Sequence, residues 1–148
     1  MKSFYDLLDT NNRLHYTIAV KPLFKTRPPV ASITINDETI HDGGIQNTLK
    51  HKGSFAPQDS LSLVIKLYGK AYNLDHVSAV VLDSFTVDGY EIKEQITYRS
   101  VYEHDSLVEH NTVTDHIGWN GTWKFDAGMP FYHFKHKIEN RGWLIKSQ

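Results

Sequence analysis

A chain of 148 residues without cysteine is long enough to bury a core with no disulfide or structural metal, and thiolate catalysis and cysteine zinc sites are excluded. Lys plus Arg number 16 and Asp plus Glu 17, a net charge of −1, which argues against a nucleic-acid or anionic-membrane binder. No apolar run approaches the roughly 18 residues of a membrane-spanning helix, and residues 1–9 lack the apolar run of a signal peptide. The reading is a soluble protein of the cytoplasm or of a virion, one domain over residues 1–148.

Ser3 as N-cap, with Asp6 three residues on, predicts one or two helical turns over 3–9. Leu14, Tyr16, Ile18 and Val20 then alternate with other residues, as a half-buried strand over 14–21 requires. Pro22 and Arg27-Pro28-Pro29 bracket a connection where a central strand is not expected. Over 30–35, Ala31, Ile33 and Ile35 share a face; Asn36-Asp37-Glu38 turns the chain, and Thr39-Ile40 returns briefly. The stretch 41–59 has the weakest pattern, punctuated by Gly43, Gly44, Gly53 and Pro57. It reads as a long loop carrying short strands around 45–49, and long loops are often functional.

Leu61, Leu63, Ile65 and Leu67 give the clearest alternation in the chain, and Gly69 and Asn73 end it. Residues 77–83 are apolar at successive positions, so both faces of that strand should be covered. After a polar break at Asp83-Ser84, a hairpin closes on Asp88-Gly89, a pair that tolerates the positive φ angles of a type I′ turn. Residues 95–102 alternate again and predict a strand with Ile96, Tyr98, Ser100 and Tyr102 on one face. Asn120-Gly121 predicts a second hairpin that sends Trp119 and Trp123 to opposite faces, one indole into the core. The period then changes. Pro130 suits a first helical position, Phe131, Phe134 and Ile138 form a stripe, and Gly142 supplies a stop, so one helix is expected near 130–141. A short strand at 143–145 follows. Short strands separated by turn signals make the expected fold mainly β: an antiparallel β-sandwich, jelly-roll-like, with one C-terminal helix.

Candidate chemistry is sparse. His133 and His136 fall three apart on the expected helix, with His104, His110 and His116 in the preceding loops. No His-Glu-x-x-His signature accompanies them, and their neighbours Tyr132, Lys135 and Lys137 suit a solvated face. Asp37, Asp42, Asp83 and Asp88 are oxygen donors of the kind calcium takes, but Asp is favoured in turns for its own backbone bonds. No Gly-rich phosphate loop follows a strand, and no Gly-x-Ser-x-Gly turn occurs. Catalytic residues, metal ligands and cofactors are therefore expected to be none. Aromatic side chains carry the better binding hypothesis. Tyr90, Tyr98, Arg99, Tyr102 and Trp119 are the expected ligand-binding residues, because flat rings beside polar groups stack on sugars and suit interfaces.

The segments 33–37 and 79–89 resemble the strand pattern of calcium-dependent carbohydrate-binding modules, over less than a quarter of the chain. The cysteine pair common in such modules is missing. The resemblance implies a non-enzymatic β-sandwich that recognises a glycan, or a protein partner, through an aromatic–polar sheet face or end loops. The compact length and terminal helix equally suit a bacteriophage virion or accessory protein, a structural role with homo-oligomeric contacts. A histidine-using metal enzyme is the third alternative. Nucleic acid and membrane are not expected partners.

Overall fold

The computed structural model describes residues 13–56, 58–70, 78–104, 114–131 and 133–135. They form two five-stranded antiparallel sheets enclosing one apolar core. The first sheet runs β4 (Leu49–Phe55), β1 (Leu14–Leu23), β6 (Ala79–Val87), with the two-residue strands β7 (Tyr90–Glu91) and β9 (His116–Ile117) both on β6. The second runs β3 (Glu38–Gly44), β2 (Val30–Ile35), β5 (Ser62–Leu67), β10 (Gly121–Asp126), β8 (Val101–His104). A short helix, α1 (Lys93–Tyr98), links β7 to β8. Among the described residues no helix is long and apolar enough to cross a membrane.

The alternating residues are the inner faces. Leu14, Tyr16, Ile18 and Val20 oppose Ala31, Ile33, Ile35, Leu61, Leu63, Ile65 and Leu67 within the same buried cluster. The antiparallel sandwich expected from the sequence is the observed architecture. Two hairpins close on two-residue turns of positive φ: Asn36 (φ 48) and Asp37 (φ 69) close β2–β3, and the expected Asp88 (φ 49) and Gly89 (φ 82) close β6–β7. Each turn is tied to a distant strand. Asn36 Oδ1 accepts from Ser62 N at 2.8 Å, and Asp88 Oδ1 accepts from His15 N at 2.9 Å.

Several elements differ from the sequence reading. The polar break at Asp83-Ser84 is no break: β6 is one nine-residue strand. Its pairing with β1 passes from Leu82↔Val20 to Ser84↔Ala19, so Asp83 is the extra residue of a β-bulge. Pro22 lies inside β1, paired with Val80, at a level where β4 has already ended at Leu49↔Val20. One flank of β1 is an edge there, which is where a strand tolerates proline. The stretch 41–59 is no long loop either. It supplies the end of β3 and all of β4, each at a sheet edge, and Gly53 of β4 lies beneath the Tyr16 ring.

Residues 95–102 do not form a strand. Ile92 and Ile96 are buried four residues apart, and Ile96 N donates to Ile92 O at 3.0 Å, so α1 hides one apolar edge against β6 and only Val101 onward is extended. The Asn120-Gly121 hairpin is absent. Ile117 pairs with Val80 in the first sheet, whereas Gly121 pairs with Leu67 and His104 in the second. This segment is the crossing between sheets. The expected separation of the indoles holds in part: Trp123 is fully buried and Trp119 half-buried.

Residues 131 and 133–135 are helical, and they close one end of the sandwich. Phe131 meets Phe55 of the first sheet edge-on at 5.2 Å, and Phe134 meets Phe125 of the second at 5.5 Å. The expected turns at 3–9, the strand at 143–145, Ile138 and the helix beyond residue 135 lie outside the described residues, as do His110, Tyr132 and His136.

Candidate functional site

With one end plugged by phenylalanines, the opposite end carries a cleft of ≈ 220 Å³. It opens where β2 begins and β5 ends, between Arg27, Pro28, Val30, Tyr68, Lys70 and Ser78. After a bend over residues 25–27, Pro28 and Pro29 stiffen the lead into β2, since each fixes its own φ and biases the residue before it. Gly69 (φ 71) turns the chain out of β5 directly after Tyr68.

Tyr68 is the exposed aromatic of this cleft, 36% accessible. Residues two apart share a sheet face, so Tyr68 stands with Lys66 on the outer face of β5. Its hydroxyl donates to Asp42 Oδ1 of β3 at 2.5 Å, and the side chain thus crosses β2. That bond raises the Tyr68 pKa above its ordinary value, with desolvation and the Asp42 charge adding to it. The ring is held at both ends, which lowers the entropy lost when a ligand stacks on it.

Behind the cleft, the crossing segment is locked to Lys70. Lys70 N donates to Asn120 Oδ1 at 3.0 Å, and Asn120 Nδ2 donates to Lys70 O at 2.9 Å. Lys70 Nζ donates to Gly118 O at 2.5 Å and lies 5.7 Å from the Trp119 ring centre. The His104 ring stacks near the same indole, centroids 6.4 Å apart. Asn120, whose side chain would serve a turn in a hairpin, here mimics a neighbouring backbone.

The five residues expected from sequence divide between the two ends. Trp119 abuts the cleft through Lys70. Tyr102 is 2% exposed, a core residue whose hydroxyl donates to Trp119 O and accepts from Trp119 N at 2.8 Å. It sets the backbone of Trp119 and offers no surface. Tyr98, 72% exposed, is the last residue of α1 at the plugged end, and Arg99 lies between the Tyr98 and Phe134 rings, 6.0 Å and 5.5 Å from their centres. Tyr90 follows the Asp88-Gly89 turn at that same end. Sequence reading named Asp42 only as an oxygen donor explained by its turn and Arg27 only as part of a connection, and it did not single out Lys70. Only Pro28-Pro29 and the Tyr68-Gly69 strand ending signalled that corner, and neither signal names a partner across the sheet. Among the described residues no three His, Asp or Glu side chains converge as metal ligands.

The sequence matches no family model, and no curated protein matches it. Solved structures do match in shape. A structure of vCBM60 in complex with galactobiose aligns with 75% of this chain and 96% of that one, at TM-score 0.50 and 13% identity. A selenomethionine form of vCBM60, described with two families of calcium-dependent carbohydrate binding modules linked by circular permutation, aligns with 76% of this chain and 89% of that one, at TM-score 0.48 and 13% identity. The first of these shows that the chain shares its two-sheet fold with vCBM60.

Proposed function

We propose that this protein is a non-enzymatic glycan-binding module whose recognition site is the Tyr68 corner of the cleft. The observation that carries the reading is the Tyr68–Asp42 bond, which fixes an exposed ring beside polar groups at the open end of the sandwich. A sugar ring presents an apolar face and a rim of hydroxyls. Tyr68 offers the flat apolar surface, Asp42 an acceptor at its hydroxyl, and Arg27 and Ser78 of the cleft lining further donors and acceptors. The fold shared with vCBM60, a protein solved with galactobiose, supports the same class of ligand.

The test is calorimetric titration with galactobiose and a panel of soluble polysaccharides, galactan, xylan and glucans included. Saturable binding is expected, with a loss of about tenfold or more in Tyr68→Ala, the scale of one aromatic contact. A Trp119 fluorescence change on titration is the second readout, since Lys70 couples that indole to the cleft. Silence from every sugar, or full affinity in Tyr68→Ala, would sink the reading.

A further inference from the structure

Resting on that reading, we infer that the ligand is a linear chain lying across the outer face of the second sheet, not a single terminal sugar. Register carries the argument. Asp42 pairs with Ser32, Ser32 with Lys66, Lys66 with Thr122, and Thr122 with Glu103. These five residues form one row through all five strands, β3 to β8.

The row begins at the residue that holds Tyr68 and runs perpendicular to the strands. Asp42, Lys66 and Glu103 are exposed, whereas Ser32 and Thr122 between them are half-buried. Long side chains therefore alternate with short ones, leaving two notches along the line. At strand spacings of about 4.8 Å the row spans roughly 19 Å, the length of about four sugar rings.

Its chemistry fits hydroxyls along that whole length. Carboxylates accept, the Lys66 ammonium donates, and the Ser32 and Thr122 hydroxyls do both. A protein interface of useful size has an apolar centre, and this row contains no apolar residue. In the adjacent row, Thr34 and Thr39 bond each other at 3.3 Å and Val64 is half-buried, so the surface is shallow beside the line from β3 to β5. The exposed Lys124 and Val101 form a raised border beside it on β10 and β8. A polymer segment stacked on Tyr68 has a continuous hydrogen-bonding track ahead of it.

The experiment measures affinity for β-linked galacto-, xylo- and cello-oligosaccharides of two, three, four and six rings. In the series that binds, affinity should rise about tenfold from two rings to four and then level off. The double variant Glu103→Ala/Thr122→Val changes only surface groups at the far end of the row. It should cut four-ring binding to near the two-ring value and leave two-ring binding unchanged. Equal affinity at every length, or four-ring binding unaffected by the variant, would overturn the extended track while leaving the Tyr68 site standing. No binding at any length, by wild type, would overturn both. Sedimentation run alongside supplies a further outcome: a dimer dispersed by Lys66→Glu would give this face to a second copy of the chain and overturn the inference.

Discussion

The ring of Tyr16 occupies the place where a β-carbon on Gly53 would stand, with its hydroxyl oxygen 2.4 Å from that position. The two residues are directly paired across β1 and β4, so the bare glycine is the floor on which the aromatic lies. The ring has nowhere to retreat. It stacks on Phe85 at 5.6 Å and meets Phe55 at 6.2 Å and His51 at 6.0 Å. Burial is also the main cause that raises the Tyr16 pKa, with the Glu38 charge adding.

Gly53→Ala should therefore destabilise the fold by about 1–3 kcal/mol through overpacking, read as a lower urea midpoint. In a Tyr16→Leu background the same substitution should become favourable by about 0.5–1 kcal/mol, the usual gain of Ala over Gly inside a strand. Additive effects in the double variant would show that the ring does not press on Gly53.

Gly121 is constrained by backbone, not by a turn. A β-carbon there would fall 2.2 Å from the Glu103 carbonyl oxygen and 2.6 Å from the His104 Cα. Gly121→Val should cost about 3 kcal/mol or more in melting experiments, because β8 has to leave β10 to make room. Hydrogen exchange should show 101–104 opening first. Protection unchanged along β8 would contradict this placement.

Tyr102→Phe separates structure from recognition. Removing the hydroxyl leaves both the N–H and the carbonyl of Trp119 without that partner, a loss of about 1–3 kcal/mol for half-buried groups. Emission from Trp119 should shift, while affinity for a short oligosaccharide, measured below the melting transition, should fall far less than in Tyr68→Ala. An equal loss of affinity in both variants would return Tyr102 to the binding surface.

Alkaline titration checks the Tyr68–Asp42 bond. The folded pKa of Tyr68 lies above the unfolded value near 10. Its contribution to stability is therefore intact below about pH 10 and disappears as the pH climbs through the raised folded value. Ultraviolet titration should find a tyrosine step above the ordinary value that Tyr68→Phe diminishes. Asp42→Ala removes both the acceptor and the charge and should bring that step earlier. An unchanged curve in the variant would deny the bond.

Much of the sandwich was legible residue by residue. Ala31, Ile33 and Ile35, and then Leu61 to Leu67, alternate because a strand sends neighbouring side chains to opposite faces, and burial selects one face. Asp88-Gly89 was readable as a hairpin turn because few residues accept positive φ, and Asn36-Asp37-Glu38 as a turn from its polar composition. Residues 95–102 misled for a physical reason: Ile92 and Ile96 satisfy a helical spacing while Ile96, Tyr98 and Tyr102 satisfy alternation. Asn120-Gly121 misled in the same manner, because its neighbours commit to different sheets and tertiary pairing outweighs a local turn preference. The candidate site was hardly legible at all. Trp119 came from the sequence, but the bond from Tyr68 to Asp42 joins residues 26 apart in the chain.

The sequence by itself determined which faces are apolar, where two of the turns fall and that Phe131 and Phe134 share a buried stripe, since these follow from local period and backbone sterics. Only the tertiary structure decided which strands are neighbours. Hydrogen-bonded pairing across the sheet is indifferent to distance along the chain. It carried Asp42 to Tyr68, drew Asp42 and Glu103 onto one line, and turned Tyr102 from a contact residue into a buried post beneath Trp119.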